Sequence, residues 1–383
     1  MTLTPATCPP GFPELRAAPP WVTEEMVAAE PGLAEPIWAQ SEAATRVADA
    51  VSAALAAGEP VAVVGCGTSE HAAMAVAALI REALVDRRRA GWPVAARQAA
   101  EAALDPWPGL CLAVSHEGGT RATLAALEAA RATGAATALI TADPASPCAR
   151  AAALSLVTPL VDRAWCHTVG YLSPILAGAC IAAALSGSGL GWEPLRRHLE
   201  ESAAAAAAQA APLALALGGG GLLECAGGGA DAISARELAL KIEEAVHRPA
   251  VGRDLETVLH GHLVARDPGT RLVVFATDGA LERRLERAAQ LLAAATRIGQ
   301  PSVAIVREDA PFDFAGGRPA GQMRLPRGAH LPAVLASLTG SALALQHLTL
   351  ALAAAAGTNP DLIRREQAPY REAAELAEAS PAI

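Results

Sequence analysis

The chain has 383 residues, 52% hydrophobic and 18% charged, with 30 basic and 39 acidic side chains for a net charge of −9. That length suits two domains with sizeable cores, and the composition excludes long disorder as the main state. No basic excess or stripe marks a nucleic-acid binder. The basic set is lopsided: 29 Arg against one Lys, Lys241, in a chain rich in Ala. A GC-rich coding bias replaces Lys with Arg wherever either serves, so the survivor needs a reason.

In chain order, residues 1–20 read as a Pro-rich flexible arm without the basic and apolar regions of a signal peptide. Residues 24–56 predict helix, broken near Pro31 and Pro36. Strands are expected at 60–64, 110–114, 136–140 and 154–157, with helices at 71–88 and 121–133 between them. The pattern then repeats. A helical stretch through 199–217 and a glycine break at 218–221 precede strands at 222–225, 272–276, 302–306 and 322–325. Helices are expected at 232–245, 279–298, 332–356 and 370–379. Short strands alternating with helices imply βαβ units and parallel sheets. The reading is an arm and entry helix at 1–45, α/β domains at 46–200 and 215–350 with a linker near 200–220, and a C-terminal helix and tail at 351–383.

The longest apolar stretches, 170–185 and 348–357, read as shorter than the roughly 20 strongly apolar residues of a membrane span. Seven Cys occur, an odd number without a C-x-x-C pair. They point to reduced core thiols and a cytoplasmic protein, not to disulfides or zinc. His260-x-His262, with His247 or Glu256 nearby, lacks a firm third ligand, so no metal or other cofactor is expected.

Two loops carry the chemistry. Gly65-Cys66-Gly67-Thr68-Ser69 and Ser115-His116-Glu117-Gly118-Gly119-Thr120 each follow a strand and open a helix. Their glycines allow close backbone approach, and hydroxyls with free helix N–H groups suit an anion or a sugar. A plain tight turn with Ser69 as N-cap explains the first equally well. A nucleotide-binding reading fits worse, because Glu70 stands where the third glycine of the dinucleotide fingerprint belongs. Lys241 lies one turn from Glu237 and from Glu244. An exposed helix ion pair would serve as well with Arg. A Lys retained here points instead to a buried ammonium whose pKa drops, allowing proton transfer or carbonyl addition.

In this order the loops resemble those of the sugar isomerase (SIS) domain, G-x-G-T-S and then S-x-S-G-x-T, about 50 residues apart. Residues 237–244 resemble the E-G-A-L-K-L-K-E helix of the isomerase half of glucosamine-6-phosphate synthase. His260-Gly261, 16 residues after Glu244, resembles its H-G-P. Residues 24–31 resemble its entry segment, and Asn359-Pro360-Asp361 with Arg364 its tail. The resemblance covers roughly residues 24–372 and implies two flavodoxin-like subdomains and a homodimer. It implies that Thr68, Ser69, Ser115 and Thr120 hold the sugar, that Glu244 moves a proton between neighbouring carbons, and that Lys241 lies by the carbonyl. His260 would assist ring opening, in its own subunit or across a subunit contact.

The chain departs from that pattern. Glu117 replaces the second Ser of the second loop and would repel a phosphate dianion. The tail stretch Glu366-Gln367-Ala368-Pro369 has no Lys for ring opening, His262 replaces the Pro of H-G-P, and Val169 lies where the synthase has S-T-K. No glutaminase segment with its N-terminal Cys is expected. The expectation is an isomerase, deaminase or deglycase acting on an open-chain sugar or aminosugar derivative, phosphorylated or not. The alternative is a non-catalytic sensor of such a compound. Partners are then the small molecule and a second copy, without nucleic acid or membrane.

Overall fold

A computed structural model describes residues 16–84, 94–279, 282–310 and 316–379. The entry segment comprises α1 (Val22–Ala29), a 3₁₀ turn at Glu30–Leu33, α2 (Ala34–Trp38) and α3 (Ser41–Ala56). Pro31 gives the expected break as the 3₁₀ turn, since it has no N–H to continue the α-helical ladder. The first half then runs β1 (Val61–Gly65), α4 (Thr68–Leu84), β2 (Val94–Gln98), α5 (Ala99–Leu104), β3 (Leu110–Val114), α6 (Arg121–Ala132), β4 (Ala136–Thr141), α7 (Pro147–Ala151), β5 (Leu154–Val157) and α8 (Val169–Ser186). After α9 (Trp192–Leu217) the second half runs β6 (Leu223–Gly227), α10 (Ala230–Lys241), a π turn at Ile242–Val246, β7 (Ala250–Asp254), α11 (Leu255–Leu259) and a 3₁₀ turn at His262–Ala265. It finishes with β8 (Arg271–Ala276), α12 (Glu282–Ile298), β9 (Ser302–Arg307), β10 (Gly321–Leu325), α13 (Ala333–Ala356) and α14 (Ala368–Ala379). Of the helix expected at 71–88, residues 85–88 lie outside the described residues.

Both sheets have five parallel strands. Their orders, β2-β1-β3-β4-β5 and β7-β6-β8-β9-β10, are the same order read through each half. This is the doubly wound order 2-1-3-4-5 of flavodoxin-like α/β folds, so the expected fold class stands. The central strands β1, β3 and β6 are fully buried, which explains the unbroken apolar runs of β1 and β3; in β6 the buried Glu224 is paired by Arg253 and Arg266. β2 and β7 were not expected. They are half-buried edge strands whose Arg97, Gln98, Arg253 and Asp254 interrupt the apolar signal.

The helical stretch expected through 199–217 is the later part of α9, a 26-residue helix whose Leu213, Ala214 and Leu217 join the main core. One expectation needs correction. The apolar stretches read as too short for a membrane belong to α8 and α13, which by length and composition are long enough to cross one. Their apolar windows are 78% and 72% buried inside the protein, so the run of apolar residues on every face is explained by burial on every face.

The two halves meet along α4 and α10. Thr68 lies opposite Lys241 and Met74 opposite Arg236, so the helices run antiparallel. The tail closes over this junction. The Asp361 carboxylate accepts from Val22 N–H, Thr23 N–H and the Thr23 hydroxyl, capping α1.

Candidate active site

The first loop is shaped by Gly65. A Cβ there would lie 2.3 Å from the Ser69 carbonyl oxygen, so only glycine lets α4 begin against the end of β1. Gly67 needs its glycine for another reason, a φ of +56° in open space. The turn leaves Ser69 and Cys66 partly exposed and buries Thr68. In the second loop Gly118 has φ +65° and packs against Ser146, whereas Gly119 faces open space. Ser115 and His116 are buried, while Glu117 and Thr120 are exposed.

Lys241 sits where the two halves touch, with 1% of its side chain exposed. Its Nζ donates to Glu244 Oε2 at 2.6 Å and to Thr68 Oγ1 at 2.9 Å. Glu237 Oε1 lies 3.5 Å away. Glu237 is fully buried and also accepts from the Thr68 hydroxyl at 3.2 Å. Its other oxygen contacts His71 Nδ1 at 2.7 Å. The change from α to π helix directly after Lys241 carries Glu244 into the cluster, and His247, with φ +59°, ends the turn.

The electrostatics correct one expectation. Burial alone would depress the Lys241 pKa, but Glu244 and then Glu237 outweigh it and hold the ammonium well above the ordinary lysine value. Lys241 is a fixed cation, not the neutral amine expected for proton transfer or carbonyl addition. Burial raises the Glu244 carboxyl against the opposing pull of Lys241. For Glu237 burial also pushes upward, but Lys241 and His71 together bring it below its usual value.

The inner wall comes from the segment before α8. Cys166 is buried beside Lys241 and Glu244. His167 packs edge-on against His116, with ring centroids 5.5 Å apart. Burial lowers both imidazoles to about 4, with Asp162 opposing it at His116 and Lys241 adding to it at His167. His116 Nε2 accepts from the Asp162 N–H at 2.8 Å. The Asp162 carboxylate in turn accepts from Thr168 and Gly170. His116 thus points inward from its loop.

Of the residues singled out in the sequence, Thr68, Lys241 and Glu244 come together, and Gly65 and Gly67 shape the turn that holds Thr68. Ser115, Gly118, Gly119 and Thr120 form the second loop beside them, with Glu117 at its rim. Dehydration by the loop and then the Asp162 charge raise Glu117. His260 stays apart from the cluster: 77% of its side chain is exposed, and its Nε2 pairs with Glu256 at 3.1 Å. Sequence reading missed His71, Cys166 and His167. Only His71 left a trace, one helical turn from Thr68 on the same face.

Residues 55–177 match the family model of the SIS domain. Among solved structures, the chain is similar to the C-terminal domain of glucosamine-fructose-6-phosphate aminotransferase from Francisella tularensis. That match has 17% identity and a TM-score of 0.75, covering 91% of this chain and 99% of that one. It is similar to tagatose-6-phosphate ketose/aldose isomerase from Escherichia coli, at 20% identity and TM-score 0.70 over 92% and 97% of the two chains. It is also similar to glucosamine-6-phosphate deaminase from Thermotoga maritima, at 16% identity and TM-score 0.64 over 89% and 96%. No curated protein matches the sequence. At these identities the structural likeness is one of fold. Residues 55–177 are therefore a SIS domain, and the second half of the chain repeats its strand order.

Proposed function

We propose that the protein is a sugar-isomerase-type enzyme acting on an open-chain sugar or aminosugar derivative. The observation that carries this is the Lys241–Glu244 pair at 2.6 Å, closed against Thr68 of the first Gly-rich loop. Glu244, with its carboxyl raised by burial, takes the proton from the carbon next to a carbonyl or imine. The C–H electron pair forms the carbon–carbon double bond of an enediol or enaminol, and negative charge develops on the heteroatom. The permanent ammonium of Lys241 stabilises that charge. The neighbouring hydroxyl passes its O–H proton to that charged heteroatom and becomes the new carbonyl, while Glu244 returns its proton to the former carbonyl carbon, to which the carbon–carbon double bond supplies the electron pair.

The hydroxyls of Ser69 and Thr120 would hold the polar end of the substrate over the loops. The Glu117 carboxylate at the rim favours an amine or a free hydroxyl there over a phosphate dianion. His260 would act on the ring form from a second copy of the chain, which makes the working unit a homodimer. The test is solvent deuterium incorporation at the α-carbon of free and phosphorylated aminosugars. Wild type is expected to exchange and Glu244→Gln to lose exchange; exchange surviving in Glu244→Gln overturns the assignment.

A sensor is the second reading. It is favoured by the exposed His260 and by the lack of Lys in the tail, which take away from Lys241 the two ring-opening groups of the family pattern within one chain. Ligand binding without any exchange would select it.

A further inference from the structure

The internal duplication places a second site at the far end of the α4–α10 pair. Gly65 and Gly227 end equivalent strands, and a Cβ at Gly227 would meet Asp231 as one at Gly65 would meet Ser69. Counting on from these glycines pairs Leu79 with Lys241, each 14 residues later, and Glu82 with Glu244, each 17 residues later. The helices run antiparallel, so this second set gathers at the opposite end. A cavity of about 720 Å³ lies there, lined by neither Lys241 nor Glu244. That volume is typical of a small-molecule site.

The polar groups of the cavity have an uneven account. Arg236 pairs with Asp254 at 2.9 Å, and Arg284 pairs with Asp278, which also caps Ala230 N–H. Glu82 accepts from Val334 N–H at 3.0 Å at the start of α13, so the helix end offsets its charge. Arg81 remains. Its guanidinium donates to the Val94 carbonyl at 3.0 Å, a neutral acceptor, and the residue is exposed, so the charge stays open to a ligand at the cavity rim. Three guanidinium groups and three carboxylates thus line the cavity, and Arg81 is the guanidinium among them without a carboxylate partner. Met74, Ala78 and Ile233 add an apolar wall. Leu79 in place of a Lys, and a Glu82 bound to a helix end, leave no proton-transfer pair.

We propose that this cavity is a non-catalytic site for a small organic anion, a phosphate monoester or a carboxylate, with its charge on Arg81 and its carbon skeleton on the apolar wall. The inference does not depend on the reaction proposed above.

The test is calorimetric titration with fructose 6-phosphate and with gluconate. The proteins are wild type, Arg81→Met, Arg81→Lys and a Thr68→Val/Thr120→Ala double variant that silences the first site. At least one probe is expected to show a component of one per chain that survives in the double variant. That component should weaken about tenfold or more in Arg81→Met, the loss of one charge-assisted contact, and recover in part in Arg81→Lys. Retention for fructose 6-phosphate identifies a phosphate site, and retention for gluconate a carboxylate site. Wild-type affinity in Arg81→Met, no component in the double variant, or no binding of either probe to wild type overturns the proposal. Loss of exchange chemistry in Glu244→Gln bears only on the reaction, so the two readings fail separately.

Discussion

Lys241 Nζ and Thr68 Oγ1 lie 173 positions apart in sequence and 2.9 Å apart in space. The contact joins the helix of the second half to the first loop of the first half. Lys241 also stands between two carboxylates. Lys241→Met would leave Glu237 and Glu244 buried without their cation, a change that costs about 3–5 kcal/mol. Urea unfolding is expected to show this loss, and the Glu237→Gln/Lys241→Met pair is expected to recover part of it. Additive losses in that pair would contradict the coupling.

The two glycines of the first loop should separate cleanly. Gly65→Ala forces a Cβ to 2.3 Å from a backbone oxygen and is expected to cost at least about 2 kcal/mol and to abolish ligand binding. Gly67→Ala meets open space and should cost only the left-handed backbone penalty, about 1 kcal/mol. Denaturant midpoints at constant slope distinguish the two. Equal losses would mean that the close approach at Gly65 relaxes easily.

His116 gives the pH prediction. Its folded pKa, about 4, lies below the ordinary 6.5, so the unfolded chain binds more protons between those values. Its contribution to stability is complete above pH 6.5 and is lost as the pH falls through 4, by about 3 kcal/mol. Other groups titrate in that window; Asp231, raised to about 6 by burial, has the opposite slope. The measurement is therefore the difference between wild type and His116→Gln in unfolding free energy from pH 7 to 4. A flat difference would place a charged imidazole in the core.

Glu117 decides between phosphorylated and free ligands. Glu117→Ser is expected to raise the affinity for fructose 6-phosphate severalfold, and more at low salt than at high, because the repulsion it removes is screened. Unchanged affinity at both salts would show that the carboxylate points away from the ligand.

His260 tests assembly. Refolded mixtures of His260→Ala with Glu244→Gln are expected to regain activity that neither has alone, because a mixed dimer then holds one intact site. No recovery would confine His260 to its own chain or to the surface.

The sequence made the buried strands plain because burial on both faces writes an uninterrupted apolar run, as in Leu110–Val114 and Leu272–Ala276. The edge strands β2 and β7 carry Arg, Gln and Asp towards solvent and write no such run. At the site, Lys241 stood out as the one Lys in the chain and Glu244 through the resemblance of residues 237–244 to the isomerase helix, while helical spacing placed the two on one face. Contacts between distant segments were not. Glu237 read as a plain helix ion-pair partner until His71 and Thr68 closed on it from the other half. The π turn that moves Glu244 leaves no compositional mark, and the Lys241 pKa follows from two carboxylates whose burial only the folded chain fixes.

The unbroken α9 helix has a mechanical consequence. At about 1.5 Å per residue its 26 residues make a strut of about 39 Å. One end packs on the α2 entry helix, and the other lies under β10 and α13. Held to both, the helix offers no hinge along its own length, so any movement between the halves has to turn on the segments beside it. Admission of a ligand to the proposed site at Lys241 would then depend on the short loops around Thr68 and Ser115.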